Sequence, residues 1–416
     1  MSLKKIAILT LHPHNYGGVL AIQKNVYNFC AQYFEPTLFF LGFGADISTS
    51  FKRCKFSSRV RHTSYFGMQA VEIGARWAFW EPGHYVNTIK SWSKELEGYD
   101  YFFVVSGTPI AAHPLLLLKK KFVGLYASDH HSDRVQRMGN KKGIRAFIQA
   151  RAHPKMLAIE KEVLQKTNYL FPMSHYTASQ FELILGKAHG AMELCPYPIA
   201  SEKIGVINNY NQNKERIILA VGRFDDPRKN MDMLLRVFES ICAQVKNIKL
   251  YVIGAYPLRE TLQKYADKPF FRSIVFTGYV EAFELDLFYQ RAHLMLITSY
   301  QEGFGIVGLE ALARGVPVVA TDCGGTRDFV IHNQTGFMVD VNDDAAMITY
   351  AVTILTDEQE YNRLRNNGPR FVQDNFSQQS VDKKYKKGLV AVYPELAALF
   401  AVPIEDFTLK PKEILV

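Results

Sequence analysis

Cysteine is scarce in this 416-residue sequence, and no two cysteines form a C-x-x-C pair. The five that are present are Cys30, Cys54, Cys195, Cys242 and Cys323. An odd number of widely separated cysteines gives neither a disulfide framework nor a zinc cluster, and is typical of a protein in a reducing compartment. The N-terminal residues contain only a short apolar run, Ile6–Leu11, which is too short for a secretory signal. The sequence therefore predicts a cytoplasmic location.

Long hydrophobic runs are missing as well. The uncharged stretch 101–118 is interrupted by Pro109 and Pro114 and is followed by three lysines, 119–121. A membrane-spanning helix needs about 20 mainly apolar residues, so we expect a buried strand, Tyr101–Val105, followed by a short helix. Repeats of about 20 to 50 residues are not evident, which excludes a solenoid.

The composition is that of a folded globular protein, with 48% hydrophobic and 21% charged residues. At about 150 residues per domain, the length predicts two or three domains. The net charge of +9 is uneven, because residues 1–200 carry 24 Lys and Arg against 13 Asp and Glu, whereas residues 201–416 carry 25 against 27. A first half of net charge +11 is expected to face an anionic partner, either a membrane surface or an acidic substrate.

Short apolar runs of strand length alternate with helix-compatible segments in the first half. The runs are Lys5–Leu11, Pro36–Leu41, Tyr101–Val105, Phe122–Tyr126 and Tyr169–Phe171. The stretch 44–100 is less regular and carries no firm assignment. Runs that are apolar on both faces are typical of parallel strands covered by helices, so the first half is predicted to be a parallel α/β domain.

The second half repeats this alternation after a predicted linker, where the prolines at 196 and 198 precede a polar segment, 208–214. The predicted strands are 216–221, 249–253, 273–277, 294–298 and 316–321, and the predicted helices are 230–245, 257–266, 281–292 and 306–314. A second parallel sheet sandwiched by helices follows from this order. Residues 343–399 are predicted to be helical and free to cross back onto the first domain.

The densest chemical signal lies between a predicted strand and helix at 299–310. Gly303-x-Gly305-x-x-Gly308 is a formal match to the dinucleotide fingerprint, with Asp322 near the position of its ribose-binding acid. However, that fingerprint normally follows the first strand of its domain, and Glu302 in the loop would repel a pyrophosphate. A polyhydroxylated ligand fits better, since Glu302 and Glu310 can accept hydrogen bonds from vicinal hydroxyls. A solvated loop with Glu310 on an exposed helix face remains the alternative.

A second candidate site follows the strand that ends at Val221. Arg223 leaves the carboxyl end of this strand and Lys229 lies at the entrance of the next helix, where ligands bind in open α/β sheets. Two cations can converge there. The alternative is a pair of surface cations with Asp225 and Asp226 as local partners.

Glu302 and Glu310, separated by seven residues, resemble the E-x7-E signature of retaining GT-B glycosyltransferases. The resemblance is to family 4, the glycogen-synthase-like and phosphatidylinositol-mannosyltransferase-like enzymes. It extends over Val221–Arg223, Ile253–Gly254, Phe276–Val280, the glutamate motif, Asp322–Gly325 and Gly336–Phe337. In the first half only the Gly17-Gly18 turn resembles the family.

This resemblance implies roles for individual residues of the second half. It assigns Arg223 and Lys229 to the donor diphosphate, without a metal, and Glu310 to the ribose. It places Glu302 around the transferred sugar, together with the backbone of Gly303, Phe304, Gly305, Ile306 and Val307. It also implies that backbone groups near Tyr279 and Val280 recognise the base.

In the first half the resemblance implies a phosphate contact at Gly17 and Gly18, which open the first helix, and a histidine beside the transferred sugar. His130 is the predicted histidine and His131 its substitute; a loop histidine without a role is the alternative. His12 and His14 suggest a metal only weakly, because no third ligand can be named.

The expected architecture is GT-B, with two Rossmann-like domains facing across a cleft. Residues 1–200 would bind the acceptor, residues 201–375 would bind the nucleotide sugar, and the C-terminal helices from about 376 to 416 would pack back on the first domain. The implied activity is retaining, metal-independent glycosyl transfer from a UDP- or GDP-linked sugar, with no cofactor and no nucleic acid. The competing interpretations are an NAD-dependent oxidoreductase, a two-lobed sugar-binding protein without catalysis and a non-hydrolysing nucleotide-sugar epimerase.

Basic residues of the first half suggest a membrane-linked or acidic acceptor. They cluster at Lys52, Arg53, Lys55, Arg59 and Arg61, at 119–121, and at Lys141, Lys142, Arg145, Arg151 and Lys155, with Ile144, Phe147 and Ile148 at helical spacing. Such a basic amphipathic surface suits an anionic membrane face, although ordinary solvated faces are the alternative. Pro154 is expected to keep this segment from being one straight helix.

Overall fold

The computed structural model describes residues 3–11, 18–42, 60–75, 80–132, 144–205 and 215–400. The chain divides into two compact units. Unit 1 comprises Met1–Cys195 together with Asp382–Val416, and unit 2 comprises Pro196–Val381. In the described ranges, no helix is both long enough and apolar enough to cross a membrane.

Unit 1 contains a seven-stranded sheet in the order β3-β4-β2-β1-β5-β6-β7. Its strands are β1 Lys5–Leu9, β2 Glu35–Gly42, β3 Val60–Tyr65, β4 Met68–Gly74, β5 Tyr101–Ser106, β6 Val123–Tyr126 and β7 Tyr169–Pro172. The five strands expected from apolar runs are all present. They form parallel pairs and are almost completely buried beyond the first residues of β1 and β2.

The β3–β4 hairpin corrects the expectation of a purely parallel first sheet. β3 pairs antiparallel with β4 at the edge of the sheet, within the stretch left without assignment. Its turn consists of Phe66 and Gly67, both with positive φ, at 49° and 81°. This is the geometry that two-residue hairpin turns favour. β3 is largely exposed and polar, so it lacks the apolar run by which the buried strands are recognised.

Helices cover the sheet of unit 1. They are α1 Gly18–Ala31, α2 Ile89–Leu96, α3 His113–Leu117, α4 Ile144–Lys166 and α5 His175–Leu185. The core between α2, α4, α5 and the sheet includes Trp92, Phe39 and Tyr126, all fully buried. Pro154 lies inside α4, and the helix continues past it. The proline therefore does not divide the segment into two helices.

The end of the described chain belongs to unit 1. Helix α12, Gln378–Val392, is followed by α13, Ala397–Phe400. Tyr385 on α12 is fully buried, with its ring 5.2 Å from that of Phe29 and its hydroxyl 3.1 Å from Asn25 Oδ1. The close approach requires a small residue, because a Cβ on Gly388 would lie 2.7 Å from the ring of Phe171.

Unit 2 contains a six-stranded parallel sheet in the order β10-β9-β8-β11-β12-β13. The strands are β8 Arg216–Arg223, β9 Ile248–Ala255, β10 Ile274–Gly278, β11 Leu294–Ile297, β12 Val318–Thr321 and β13 Gly336–Val339. The helices are α6 Met231–Gln244, α7 Arg259–Gln263, α8 Ala282–Arg291, α9 Ile306–Ala313, α10 Asp344–Thr356 and α11 Glu358–Asn375. β13 is the one strand of this sheet that the sequence did not predict.

The strand order of unit 2 fixes where a ligand can bind. Successive strands run outward in one direction from β8 to β10 and in the other from β11 to β13. The order therefore reverses between β8 and β11, and ligands of open α/β sheets bind at the carboxyl ends of the strands at such a point. Arg223 is the last residue of β8, Lys229 lies in the loop that follows it, and Glu302 lies in the loop after β11.

Candidate active site

The loop after β8 is a tight turn built by its own side chains. The Asp226 carboxylate accepts a hydrogen bond from the backbone N–H of Arg228, at 3.1 Å, and opens a short 3-10 turn, Pro227–Lys229. Asn230 then adopts a left-handed conformation with φ 49° and caps α6 by accepting from the N–H of Met233. Because both ends of the turn are held in this way, Lys229 is fixed at the entrance of α6.

Lys229 and Glu302 form an ion pair at the switch point. Lys229 Nζ lies 2.5 Å from Glu302 Oε1, and the Ser299 hydroxyl donates to the same oxygen at 2.7 Å. The two side chains are 17% and 15% exposed. Gly222 leaves room for the lysine, since a Cβ there would lie 3.1 Å from Lys229 Cε. The surface-pair alternative is therefore wrong for Lys229, whose partner comes from the other loop.

The charge state of Glu302 follows from these neighbours. Burial raises the pKa of this carboxyl group, but Lys229, the Ser299 hydroxyl and the charge of Arg228 together lower it by more. The net pKa lies below the ordinary value, so Glu302 stays ionised at neutral pH.

Arg223 is the more accessible cation of the pair predicted after β8. Its side chain is 43% exposed, and its guanidinium lies 3.7 Å from Asp226 Oδ2. For Arg223, the alternative interpretation of a surface cation with a local acidic partner therefore matches the structure. Arg223 is nevertheless the last residue of β8, directly before the loop that carries Lys229.

The glycine loop before α9 is held by backbone contacts to the loop after β12. The N–H of Glu302 donates to Cys323 O at 2.7 Å, and the N–H of Gly325 donates to Glu302 O at 2.9 Å. A Cβ on Gly325 would lie 2.3 Å from Gly303 O, so this approach requires glycine. Gly305 caps α9 with φ 89°, in the left-handed region that favours glycine.

The remaining predicted residues of this loop have distinct environments. Phe304 is buried against the rings of Phe329 and Phe376, and therefore acts as an anchor of the loop. Ile306 and Val307 form the first turn of α9. The carbonyl oxygen of Val307 accepts a hydrogen bond from the Tyr289 hydroxyl at 3.2 Å.

Glu310 lies one turn further along α9, partly buried against α8. The Tyr289 hydroxyl donates to Glu310 Oε2 at 3.1 Å. Burial raises the pKa of Glu310, although Tyr289 and the charges of Lys203 and Arg314 act in the opposite direction. Glu310 also lines a groove shared by α8, α9 and the segment near Lys203. The alternative of a freely solvated glutamate is therefore wrong.

Tyr279 and Val280 follow β10, directly after Gly278, whose φ is 71°. The side chain of Tyr279 is about half exposed. Both residues precede α8, whose residues Ala282 and Leu285 line the groove that also contains Glu310. The residues predicted to contact the base thus precede a helix that lines the groove beside Glu310, which is predicted to contact the ribose.

Unit 1 places its candidate residues at the carboxyl ends of β1 and β6. Gly18 is the first residue of α1, while Gly17 lies outside the described residues. The His130 side chain is buried, its ring stacks on that of His153 at 5.7 Å, and its backbone N–H donates to Glu160 Oε1 at 2.7 Å. His131 is exposed, with Nδ1 3.3 Å from His153 Nε2.

Several residues of these networks escaped the sequence analysis. They are Arg228, Ser299, Gln301, Tyr289 and Glu160. Arg228 lies between Arg223 and Lys229, which the sequence analysis selected. The sequence does not indicate where the side chain of a further cation points. Glu160 is one of two acidic residues in α4, and only its tertiary contacts reveal that it is fully buried. Within the described ranges, no group of three or more His, Cys, Asp or Glu could hold a metal ion.

Comparison with known families shows what the second unit is similar to. Residues 207–371 match the family described as "Glycosyl transferases group 1". The second unit therefore resembles the group 1 glycosyltransferases. The dinucleotide-like match Gly303-x-Gly305-x-x-Gly308 lies inside it, which favours the sugar-nucleotide interpretation over the oxidoreductase.

Curated proteins that are similar to this region include two glycosyltransferases. The GDP-mannose-dependent alpha-(1-6)-phosphatidylinositol monomannoside mannosyltransferase of Mycolicibacterium smegmatis is 30% identical over 220 residues, covering 49% of this chain and 57% of that protein. The capsular polysaccharide biosynthesis glycosyltransferase CapM of Staphylococcus aureus is 29% identical over 172 residues, covering 41% and 44%. The chain thus spans about half the length of the curated relatives it matches.

Solved structures with the same fold cover nearly the whole chain. Sucrose-phosphate synthase from Thermosynechococcus elongatus has a TM-score of 0.71 at 20% identity, covering 95% of this chain and 100% of that one. HepE of Anabaena in complex with UDP has a TM-score of 0.70 at 13% identity, covering 93% and 100%. The predicted fold class, GT-B with two Rossmann-like parallel-sheet domains, is confirmed.

Proposed function

We propose that this glycosyltransferase moves a sugar from a nucleoside diphosphate sugar to an acceptor hydroxyl, with retention of the anomeric configuration and without a metal. The observation that carries the proposal is the Lys229–Glu302 pair, joined at 2.5 Å at the switch point of unit 2. A cation for a leaving phosphate and an anion for sugar hydroxyls are both present there, and both are shielded from water.

Unit 2 is proposed to bind the donor. Arg223 and Lys229 contact the diphosphate, where two cations offset the charge that develops on the leaving group. Glu310 accepts hydrogen bonds from the ribose, and the backbone near Tyr279 and Val280 contacts the base. Glu302 and the loop 303–307 surround the sugar. HepE was solved with UDP, and the mycobacterial relative is named as GDP-mannose-dependent, so donors of both bases belong in the test.

The reaction is proposed to proceed on one face of the sugar. The bond between the anomeric carbon and the diphosphate oxygen breaks with its electron pair moving to the phosphate. The acceptor oxygen forms the new bond on the same face, and its proton passes to the leaving diphosphate. In this scheme Arg223 and Lys229 carry most of the stabilisation, because the greatest change of charge occurs at the phosphate oxygens.

Unit 1 is proposed to bind the acceptor, with a phosphate contact at Gly17 and Gly18 and His130 beside the transferred sugar. A lipid-borne or acidic glycan is favoured, because residues 1–200 carry a net charge of +11. The names of the curated relatives, a phosphatidylinositol mannoside enzyme and a capsule enzyme, support the same class. We therefore propose a cytoplasmic protein that associates peripherally with the inner face of a membrane.

A panel of UDP- and GDP-linked sugars, scored for nucleotide release with and without acceptor lipids, tests this function. The expected result is release with one donor class, stimulated by an acceptor, and a product that keeps the donor's anomeric configuration by NMR. Binding of sugars without any nucleotide release would favour the two-lobed binding protein. An altered sugar that remains linked to the nucleotide, without net nucleotide release, would favour the epimerase.

A further inference from the structure

We infer that Arg228 is a positioning residue for the Lys229–Glu302 pair: it ties together the two loops on which these residues lie. The inference rests on the proposed function, since it concerns the geometry of the proposed diphosphate and sugar contacts. Arg228 does not need to touch the donor for this role. It acts by fixing where its neighbours are.

The first half of the tie lies within the loop after β8. The Arg228 guanidinium donates to both carboxylate oxygens of Asp226, with Nη2 2.8 Å from Oδ2 and Nε 3.1 Å from Oδ1. The same carboxylate accepts from the Arg228 backbone N–H. The Arg228 side chain is 11% exposed, and Asp226 is buried as well. A buried fork of this kind leaves the arginine few alternative rotamers.

The second half of the tie reaches the loop after β11. Arg228 Nη1 donates to Gln301 Oε1 at 3.2 Å, and the Arg228 carbonyl oxygen accepts from the backbone N–H of Tyr300 at 2.7 Å. The Thr298 hydroxyl adds a third link at 3.0 Å, to Lys229 O. Arg228 is thus bound to the second loop through both its side chain and its backbone.

The sequence positions explain why this tie controls the ion pair. Arg228 is the neighbour of Lys229, and Gln301 is the neighbour of Glu302. A link between the two neighbours therefore sets the separation of the two charged residues. The charge of Arg228 also contributes to the lowered pKa of Glu302. Misplacement of a reacting or charge-stabilising group by about 1 Å can cost on the order of a hundredfold in rate.

A guanidinium is needed for this role because it must donate in fixed directions to three oxygens, two of Asp226 and one of Gln301. A guanidinium presents several donors in one plane, so it can hold Asp226 and Gln301 at once, whereas a lysine ammonium on a flexible stem cannot reproduce both contacts. Arg223, at 43% exposure, is the arginine available to a ligand. Arg228 is already engaged on both sides.

Arg228→Ala and Arg228→Lys test the inference, with Gln301→Ala as a second approach that leaves the Arg228–Asp226 contact intact. We expect all three to lower kcat for sugar transfer by about tenfold or more, with a smaller change in the donor KM and little rescue by lysine. Arg236→Ala is the matched control, because Arg236 makes a similar two-bond contact to Asp344 outside the site. It should leave kcat unchanged.

A double-mutant cycle with Lys229→Ala distinguishes positioning from a general loss of stability. If Arg228 acts through the pair, Arg228→Ala should cost little further rate in a protein that already lacks Lys229, as coupled residues behave. Equal fold losses in both backgrounds, or full rescue by lysine, would overturn the inference while leaving the proposed function intact. A wild-type protein that is folded but transfers no sugar from any donor would overturn both.

Discussion

At the scale of single residues, the site depends on charges that are shielded from water yet compensated. Glu302 is kept ionised by Lys229, Ser299 and Arg228, whereas burial raises the pKa of Glu310 and Tyr289 supplies one hydrogen bond to it. The two glutamates therefore differ in basicity although only seven residues separate them in the sequence. This difference supports separate roles for them.

The diphosphate contact should be the largest single contribution to catalysis. Charge-assisted contacts contribute about 1.5 to 3 kcal/mol each, so Arg223→Ala or Lys229→Ala should lower turnover by roughly ten- to a few hundredfold. Steady-state nucleotide release measures this, with circular dichroism to confirm folding. EDTA should have little effect. Unchanged turnover in either variant would contradict the contact, and loss of activity in EDTA would contradict metal independence.

The two glutamates should fail in different ways. Glu310→Gln removes the charge that accepts from ribose hydroxyls, so it should mainly raise the donor KM. Glu302→Gln should mainly lower kcat, because its contact to the sugar matters most as the sugar departs. Donor titrations of both variants separate the two effects. The same kinetic profile for both would show that the roles are wrongly assigned.

Glu160 predicts a pH dependence of stability in unit 1. Burial raises the pKa of this carboxyl to about 8, against an ordinary value of 4.5. The folded state thus holds the proton more tightly than the unfolded state. Its contribution to stability is complete below about pH 4.5 and is lost as the pH rises toward about 8, by up to about 1.4 kcal/mol per pH unit.

Urea unfolding of wild type and Glu160→Gln at several pH values measures this contribution. All three tryptophans, Trp77, Trp80 and Trp92, belong to unit 1, so their fluorescence reports on that unit. The glutamine variant should gain stability relative to wild type as the pH rises from about 5 to about 8. This range lies between the pKa of Glu160 in the unfolded state and its pKa in the folded state. A constant difference across this range would contradict the buried, protonated carboxyl.

At the scale of elements, the buried parallel strands were predictable and the contacts between loops were not. Apolar runs located β5 and β11 to within a residue, because a strand covered on both faces has little choice of residue type. β3 escaped because its exposed edge carries polar side chains. Glu302 could be selected from spacing and resemblance. Its bond to Lys229 depends on two loops 73 residues apart, which no local pattern encodes.

Gly325 tests whether the loop after β12 supports the glycine loop. Its Cα lies so close to Gly303 O and Phe304 Cα that a Cβ would be within 2.4 Å of both. Gly325→Ala should therefore displace the loop that carries Glu302 and lower kcat strongly, while the tryptophan fluorescence of unit 1 stays unchanged. Gly190→Ala, where a Cβ meets nothing within 4 Å, is the control. Normal activity of Gly325→Ala would show that the two loops move independently.

At the scale of the whole molecule, the net charge differs clearly between residues 1–200 and residues 201–416. Part of the basic surface lies outside the described residues, including Lys52 to Arg59 and residues 141–142. In the described part of α4, Phe147 is 60% exposed and Arg151 packs over its ring at 4.9 Å. An exposed aromatic ring beside a cation is the combination that binds at a lipid interface.

Liposome sedimentation tests the membrane proposal. The protein should bind anionic vesicles and not neutral ones, and binding should weaken as salt rises, because each cation near the surface contributes about 1 kcal/mol. Phe147→Ser combined with Arg151→Ser should reduce binding, with Arg236→Ser on unit 2 as the control. Failure to bind either vesicle at any salt concentration would leave a soluble acceptor as the better explanation.

The discontinuity of unit 1 has a consequence for biosynthesis. Tyr385, which packs in the core against Phe29, is translated only after all of unit 2, residues 196–381. At about 5 to 20 residues per second, the nascent first unit waits on the order of ten seconds or more without this part of its core, while the contiguous unit 2 can fold as it emerges. Residues such as Phe29 and Phe103 then present an uncovered apolar surface. We expect this ribosome-bound intermediate to be the stage at which chaperones engage the protein.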